Sequence, residues 1–154
     1  MPDEIKSGTF LGTVHRCLPR LRKQIDLIEK ESDVVPGIRL LPAPGHTPGH
    51  AAVAISSGND ALLHVADTGM HPMHLEHPDW QNVLDLMQDE AAETRRRILD
   101  RAAAERLKMM AYHFPFPTLG RVAARKIQGW EWQPGAWLSL ASAFSTVWIP
   151  EFVG

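Results

Sequence analysis

The side chains best suited to chemistry lie in the segment Ala-Pro-Gly-His-Thr-Pro-Gly-His at residues 43–50. Two glycines and two prolines in eight residues predict a tight, rigid loop that holds His46 and His50 four positions apart. Asp67 ends the next apolar run and adds an anionic oxygen. Imidazole nitrogens beside a carboxylate suit zinc, iron or manganese. This pattern therefore indicates a metal site.

The elements around these residues are predicted to bring them together. Residues 50–55 and 61–66 are apolar runs that flank the turn Ser-Ser-Gly-Asn-Asp at 56–60, a pattern typical of a β-hairpin. The hairpin begins at His50 and ends at Asp67. Its geometry alone therefore places these two side chains close together.

A helix and a strand follow the hairpin in the prediction. Residues 89–107 carry apolar side chains on one face and acidic side chains in the first turn, where the helix dipole favours them. They predict a long helix. Residues 108–112 then predict a short strand that delivers His113 at its end, before Pro115 and Pro117 interrupt the pattern.

The rest of the chain has weaker patterns. Apolar spacing predicts an amphipathic helix over residues 18–29 and a short helical segment over 80–87. Compact β-type runs predict strands at 38–41, 121–127 and 130–132. Together these elements predict a mixed α/β layer in which the long helix packs on a sheet.

The order of these motifs resembles that of the metallo-β-lactamase superfamily. Pro-Gly-His-Thr-Pro-Gly-His at 44–50, the strand-terminal Asp67 and the later His113 in Tyr-His-Phe-Pro-Phe-Pro are similar in order, context and spacing. The similarity is closest to the hydrolase branch around methyl parathion hydrolase, lactonases and glyoxalase II, and it covers about residues 35–134. It implies an α/β fold with a mixed sheet, corresponding to the C-terminal half of an αββα sandwich.

The resemblance also implies which residues bind metal. His50 is similar to a ligand of the first metal, Asp67 to the catalytic carboxylate that bridges both metals, and His113 to a ligand of the second. An aspartate rather than a cysteine at position 67 points away from the true β-lactamases and toward the hydrolases with a bridging carboxylate. The intact family holds two ions, expected to be zinc, with iron or manganese as alternatives.

The chain departs from the family pattern in one respect. The family's His-x-His-x-Asp-His signature, which precedes these motifs, does not occur here, and the only histidine before His46 is His15. The resemblance therefore implies a truncated domain over residues 1–134, followed by an apolar tail over 135–154. With half of the ligands missing, we expect at most one weakly bound ion, held by the three remaining ligands.

The function implied by the resemblance is metal-dependent hydrolysis. A metal-bound hydroxide, positioned by Asp67, would attack an ester, lactone, thioester or phosphotriester in a small-molecule substrate. The alternative is a non-catalytic fragment or partner-binding half-domain that completes its sandwich with another chain. A fragment without an independent role is a third interpretation. The missing partner layer also predicts self-association as a homo-oligomer, or marginal stability.

The remaining histidines have structural interpretations. His46 shares the loop with His50 but is not a ligand by the resemblance, so we expect it to hold the loop by hydrogen bonding. His71, His74 and His77 lie in a loop that resembles the stretch after the family's bridging aspartate. That similarity favours a pocket wall over a second metal site.

Composition argues against several other classes of protein. The 16 Lys and Arg residues against 18 Asp and Glu residues leave no basic stripe for nucleic acid. The single cysteine, Cys17, cannot form an intramolecular disulfide, and no basic segment followed by an apolar run begins the chain. We therefore expect a cytoplasmic location. The apolar tail is shorter than the roughly 20 residues of a bilayer span, so no membrane association is expected.

Overall fold

The computed structural model describes residues 17–135, which form one seven-stranded sheet with a long helix on one face. The strands are β1 (Ser32–Val35), β2 (Ile38–Pro42), β3 (Ala51–Ser57), β4 (Asp60–His64), β5 (Lys108–Met110), β6 (Leu119–Ala124) and β7 (Trp130–Pro134). Besides the helical residues 17–21, the helices are α1 (Met73–Glu76) and α2 (Gln88–Ala104), with 3-10 turns at Arg22–Gln24 and Ala66–Thr68. The strands lie in chain order across the sheet, and neighbours are antiparallel except for the parallel pair β4 and β5.

The long helix α2 belongs to the crossover between β4 and β5. A parallel pair needs a connection of about a dozen or more residues, which usually includes a helix. The apolar side of α2, including Ile98 and Ala102, lies in one buried cluster with the sheet residues Leu63 and Met109. Each fully buried Leu, Ile or Met side chain contributes roughly 1.5–3 kcal/mol. This cluster therefore fixes α2 against the sheet.

The sheet face opposite α2 carries a second row of side chains, which is apolar except for His64. Leu40, Val53, His64, Met110 and Leu119 pair across five neighbouring strands and therefore point to the same side. All five residues are partly exposed, whereas their neighbours under α2 are buried. The second face is thus less covered than the first within residues 17–135.

The predicted hairpin, long helix and later strands are confirmed. β3 and β4 form an antiparallel hairpin in which Ser57 pairs with Asp60, and α2 covers most of residues 89–107. β5 ends at Met110, so a turn after the strand, rather than the strand itself, carries His113.

The predicted helix over residues 18–29 is wrong in most of its length. Residues 17–21 are helical, but a 3-10 turn at Arg22–Gln24 follows and the helix does not continue. Short helices gain most of their stability by packing an apolar face. Here Leu18 and Leu21 are exposed, so that contribution is missing. The strand β1 was not predicted.

The predicted helical segment over residues 80–87 is also wrong, because these residues form turns. The N–H groups of Leu86 and Met87 donate to carbonyl oxygens of the 43–50 loop at 3.1 and 2.9 Å. The side chain of Asn82 accepts a backbone hydrogen bond within the segment. These bonds compete with the helical pattern and replace it.

The predicted apolar tail lies outside the described residues, apart from Gly135. The predicted domain boundary before the tail therefore stays a prediction. Among the helices of residues 17–135, none has both the length and the apolar character needed to cross a bilayer.

Candidate metal centre

The 43–50 loop is closed at its base by hydrogen bonds between its two ends. The N–H of Ala43 donates to His50 O at 2.8 Å, and His50 Nδ1 lies 2.8 Å from Ala43 O. A carbonyl oxygen can only accept, so Nδ1 carries the proton of this bond. The loop thereby sets the orientation of the His50 imidazole and leaves Nε2 facing away from the loop base.

Asp67 lies in the 3-10 turn Ala66–Thr68, directly after β4. Its N–H donates to His50 Nε2 at 3.1 Å, so this nitrogen acts as an acceptor. Asp67 Oδ2 lies 4.0 Å from the same nitrogen. The two ends of the β3–β4 hairpin therefore meet, as the sequence predicts.

His113 reaches Asp67 from the turn after β5. Its Nε2 lies 2.8 Å from Asp67 Oδ1. The N–H of Val65 donates to Met110 O at 3.0 Å, which continues the β4–β5 pairing up to the two turns. The side chains of His113 and Asp67 are each 34% exposed. A small molecule in solvent can therefore contact this pair directly.

His46 approaches the other oxygen of the same carboxylate. His46 Nε2 lies 3.8 Å from Asp67 Oδ2, and its ring stands at 75° to that of His50 with centroids 5.9 Å apart. On its far side, His46 Nδ1 lies 3.0 Å from Asp85 Oδ1. The fold thus brings the imidazoles of His46, His50 and His113 around one carboxylate.

A buried ion pair lies behind His46. The side chains of Asp85 and Arg95 are each 2% exposed, and Arg95 Nη2 lies 3.5 Å from Asp85 Oδ2. Burial lowers the pKa of the Arg95 guanidinium, and the Asp85 carboxylate opposes that shift. Arg95 also donates hydrogen bonds of 3.0 Å to three backbone carbonyl oxygens, those of Thr68, Pro78 and Trp80. One guanidinium thus connects the segment after Asp67 to the turns that contain Asp85.

The three histidines predicted to form a pocket wall lie around α1. His71 Nδ1 accepts the N–H of Met73 at 3.2 Å. His77 stacks on Trp80, with ring centroids 4.2 Å apart, and lines a surface cavity of about 380 Å³. His74 is half-buried within α1. Their role as a pocket wall stays a prediction.

We expect His74 to make the fold less stable in mild acid. Burial lowers the pKa of His74 below its ordinary value of 6.5, and the charge of Arg95 adds to the shift. Below pH 6.5 the unfolded chain binds a proton at His74 more readily than the folded chain does. The contribution of His74 to the free energy of unfolding is therefore fully present above pH 6.5 and decreases as the pH falls. Between about pH 7.5 and about pH 5.5, the melting temperature of His74→Gln should fall by less than that of the wild type. Equal losses in the two proteins would contradict this prediction.

The donor set around Asp67 suits a metal ion in its chemistry. Imidazole nitrogens and a carboxylate are ligands of zinc, iron and manganese. Two of the imidazoles, His46 and His50, have Nδ1 engaged by a protein oxygen, which is the usual arrangement of ligand histidines. Within residues 17–135, no three His, Cys, Asp or Glu side chains already converge in a geometry that holds an ion. Binding therefore requires these side chains to move closer together, and it requires two hydrogen bonds to open: that between His113 and Asp67, and that from the Asp67 N–H to His50 Nε2.

Sequence reasoning missed Asp85 and Arg95. The burial of Arg95 could have been predicted from the sequence, because Arg95 falls on the apolar stripe of α2 with Ala91, Ile98 and Ala102. A charged residue at a buried position needs a buried partner. Asp85 lies in a turn, and nothing in its neighbouring sequence marks it as that partner.

Comparison with solved structures identifies the fold of this chain. The chain has the metallo-β-lactamase fold, and the solved structures that it resembles include hydrolases of that superfamily. AidC, a dizinc quorum-quenching lactonase solved with a product, matches with a TM-score of 0.75 and 28% identity over 82% of this chain. The hydrolase AbOPH of the beta-lactamase superfamily matches with a TM-score of 0.71 and 23% identity over 82% of this chain. The resemblance inferred from the sequence is therefore confirmed.

A further solved structure, a probable metal-dependent hydrolase from Staphylococcus aureus, matches with a TM-score of 0.60 and 20% identity over 75% of this chain. In sequence, a probable metallo-hydrolase of Mycobacterium tuberculosis is 51% identical over 35 residues, which are 23% of this chain and 11% of that protein. No protein-family model matches the chain. The matches span 43%, 45% and 42% of AidC, AbOPH and the staphylococcal protein, less than half of each.

Proposed function

We propose that this chain is a metal-dependent hydrolase in which His50, Asp67 and His113 hold a metal ion. The observation that carries the proposal is the approach of ring nitrogens to one carboxylate where neighbouring strands end. The Nε2 atoms of His113 and His50 lie 2.8 and 4.0 Å from the Asp67 oxygens. Zinc is the first ion to test, because it suits this donor set and AidC is described as a dizinc enzyme. Iron and manganese are the alternatives.

The residues of the chain would orient the ligands and handle the proton. Ala43 O holds the proton on His50 Nδ1, so Nε2 could offer its lone pair to an ion once the Asp67 N–H that it now accepts is released. The Asp67 carboxylate has one oxygen toward His113 and the other toward His50, and it can accept a proton from an attacking water. A bound ion would supply Lewis-acid polarisation of the substrate and a more acidic water.

The proposed substrates are small molecules with an electrophilic carbon or phosphorus centre. Esters, lactones, thioesters and phosphotriesters all develop negative charge on an oxygen when water attacks, which is the charge that a metal ion stabilises. AidC is a lactonase, so a lactone is the first substrate to assay. The exposure of Asp67 and His113 leaves the reacting centre open to such a molecule.

We expect the wild-type chain to bind about one zinc ion in a zinc titration, and to bind it weakly, because only three protein ligands remain. His50→Ala and Asp67→Asn should each weaken binding by more than about 100-fold, beyond the 10–100-fold typical of an outer hydrogen-bond partner. The measurement is metal content by mass spectrometry together with a zinc titration. The same samples should be assayed with a lactone.

The matched control for this experiment is His64→Gln. His64 is also an imidazole at a strand end, but it points to the face that carries Val53 and Met110. This variant should keep wild-type zinc binding. Loss of zinc from His64→Gln to the same degree as from His50→Ala would show that any histidine substitution disturbs the chain, and would remove the support for the ligand assignment.

The second candidate function is a half-domain that binds another polypeptide. The observation that favours it is the apolar row on the partly exposed face opposite α2, together with solved relatives more than twice as long as the matched segment. The occupant would be a chain carrying the other layer of the sandwich. A wild-type chain that binds none of zinc, iron and manganese would contradict the hydrolase proposal and favour this alternative.

A further inference from the structure

The sheet face opposite α2 carries a continuous patch of side chains, which we name the open patch. Directly paired residues point to the same side of a sheet, so the strand registers fix its members. Its first row runs from Leu40 on β2 to Leu119 on β6 and has His64 as its one polar member. Its second row runs across β1 to β4 and consists of Val35, Ile38, Ile55 and Leu62.

The open patch is less covered than the opposite face of the same strands. Val35 is 52% exposed and Ile55 is 36% exposed. By contrast, Leu41, Leu63 and Met109 point toward α2 and are each 1% exposed. Each Å² of apolar surface that becomes buried contributes roughly 25 cal/mol, so covering the patch would stabilise the fold. Large contiguous apolar patches on a protein surface usually mark contact sites.

The size of the open patch favours a short segment over a second folded chain as its occupant. Strands lie about 4.8 Å apart, and residues that point to one face repeat about every 6.7 Å along a strand. The nine positions of the patch therefore cover roughly 300 Å² of sheet. A standard protein interface needs roughly 800 Å² from each partner. Even doubled for the relief of the side chains, the patch is too small for a stable dimer.

The apolar tail of the chain, which follows Gly135, begins beside this patch. The N–H of Gly135 donates to Leu119 O at 2.8 Å, so the chain leaves β7 next to the last member of the first row. That row crosses four strand spacings, or about 19 Å. A segment of the length of residues 137–149 spans about 20 Å at the helical rise and more in an extended form. These residues are therefore long enough to reach across the whole row.

The composition of the tail suits an apolar surface. Between residues 136 and 154 the only charged side chain is Glu151. Once covered, His64 needs a hydrogen-bond partner, and the tail offers serine and threonine hydroxyls between positions 139 and 146. The large apolar side chains that could pack on the patch are Trp137, Leu138, Leu140, Phe144, Trp148 and Ile149.

The N-terminal residues 1–16 suit the patch less well. They also lie outside the described residues, but they carry the charged side chains of Asp3, Glu4, Lys6 and Arg16. Charges that pack on an apolar surface lose their hydration, which costs free energy unless they are paired. The tail is therefore the better occupant of the two.

We propose that residues 137–149 bind the open patch of their own chain and cover the sheet face opposite α2. The chain would then bury both faces of its sheet as a monomer. The inference does not depend on the proposed hydrolase activity. It competes with the second candidate function, because the tail would occupy the face on which another chain would have to dock.

The test measures how fast hydrogen peroxide oxidises individual methionines in the full chain, resolved by peptide mass spectrometry. Met110 belongs to the open patch, Met109 is 1% exposed under α2, and Met73 is 45% exposed. Oxidation follows solvent exposure, so Met73 and Met109 are the fast and slow references. In the wild-type monomer, Met110 should be oxidised nearly as slowly as Met109. In Trp148→Asp, its rate should rise several-fold, toward that of Met73.

Ile127→Asp is the matched control, because it adds the same charge at a side chain that is 99% exposed and lies outside the patch. It should leave the oxidation rate of Met110 unchanged. Met109 reports whether the sheet stays folded. If Met109 is also oxidised faster in Trp148→Asp, the milder Trp148→Ser replaces it in the comparison.

Three results would overturn the proposal. Oxidation of Met110 as fast as that of Met73 in the wild-type monomer would mean that the patch is open. A slow rate that both Trp148 variants retain would mean that the tail does not cover Met110. Protection that disappears on dilution, together with a dimer mass from light scattering, would mean that a second copy of the chain covers the patch.

Discussion

Gly45→Ala is expected to destabilise the chain by about 4 kcal/mol or more, the range of severe overpacking and backbone strain. Gly45 has a φ of +133°, a conformation that side chains with a Cβ rarely adopt. A Cβ built there would lie 2.2 Å from Ala91 Cα and 2.4 Å from Ala91 N. These are backbone atoms of α2 and cannot rotate away. The loop would therefore have to separate from the helix.

Gly49→Ala is the matched control within the same motif. A Cβ at Gly49 meets nothing within 4 Å, so this change should cost no more than about 0.5 kcal/mol. Chemical denaturation of the two variants provides the comparison. Zinc affinity should also fall more in Gly45→Ala than in Gly49→Ala. Gly45 O accepts the Met87 N–H at 2.9 Å and so joins the 43–50 loop to the start of α2. Similar stabilities for the two variants would refute the proposed packing of the loop.

Arg95→Ala is expected to destabilise the fold by about 3–5 kcal/mol, the cost of leaving a buried charge without its partner. Asp85 would lose the cation that lies 3.5 Å away, in a place where its side chain is 2% exposed. Three backbone carbonyl oxygens would also lose the donor that they share. The turns that position Asp85 and the segment after Asp67 should loosen together. Zinc affinity should fall as a consequence.

Arg96→Ala is the control for this prediction, because Arg96 is the next residue on the same helix. Its side chain is 42% exposed and pairs with the exposed Asp79. An exposed pair contributes at most about 1 kcal/mol, so the variant should melt near the wild type. Thermal and urea unfolding of both variants would measure the difference. A loss in Arg95→Ala no larger than in Arg96→Ala would mean that the buried ion pair does not support the fold.

Local sequence patterns determined much of the fold and the outline of the candidate site. The two apolar runs and the turn residues around Gly58 specified the β3–β4 hairpin, and the hairpin by itself brought His50 to Asp67. The apolar stripe of α2 was readable because its period matches that of a helix. The resemblance of the motifs to the metallo-β-lactamase superfamily identified His113, which indeed lies beside Asp67. That these residues bind metal stays a prediction.

Only the tertiary structure decided that His46 contacts both Asp67 and Asp85, and that Asp85 pairs with the buried Arg95. His46 and Asp85 are 39 positions apart, and the residues between them form a hairpin and two short helical turns. Long-range contacts also turned residues 80–87 into turns and bends, because the N–H groups of Leu86 and Met87 found acceptors in the 43–50 loop. Residues 18–29 did not continue as a helix, since nothing within residues 17–135 covers their apolar stripe. The period of the apolar residues shows which face of a segment can be buried. The packing of elements distant in sequence decides whether a surface is there to bury that face.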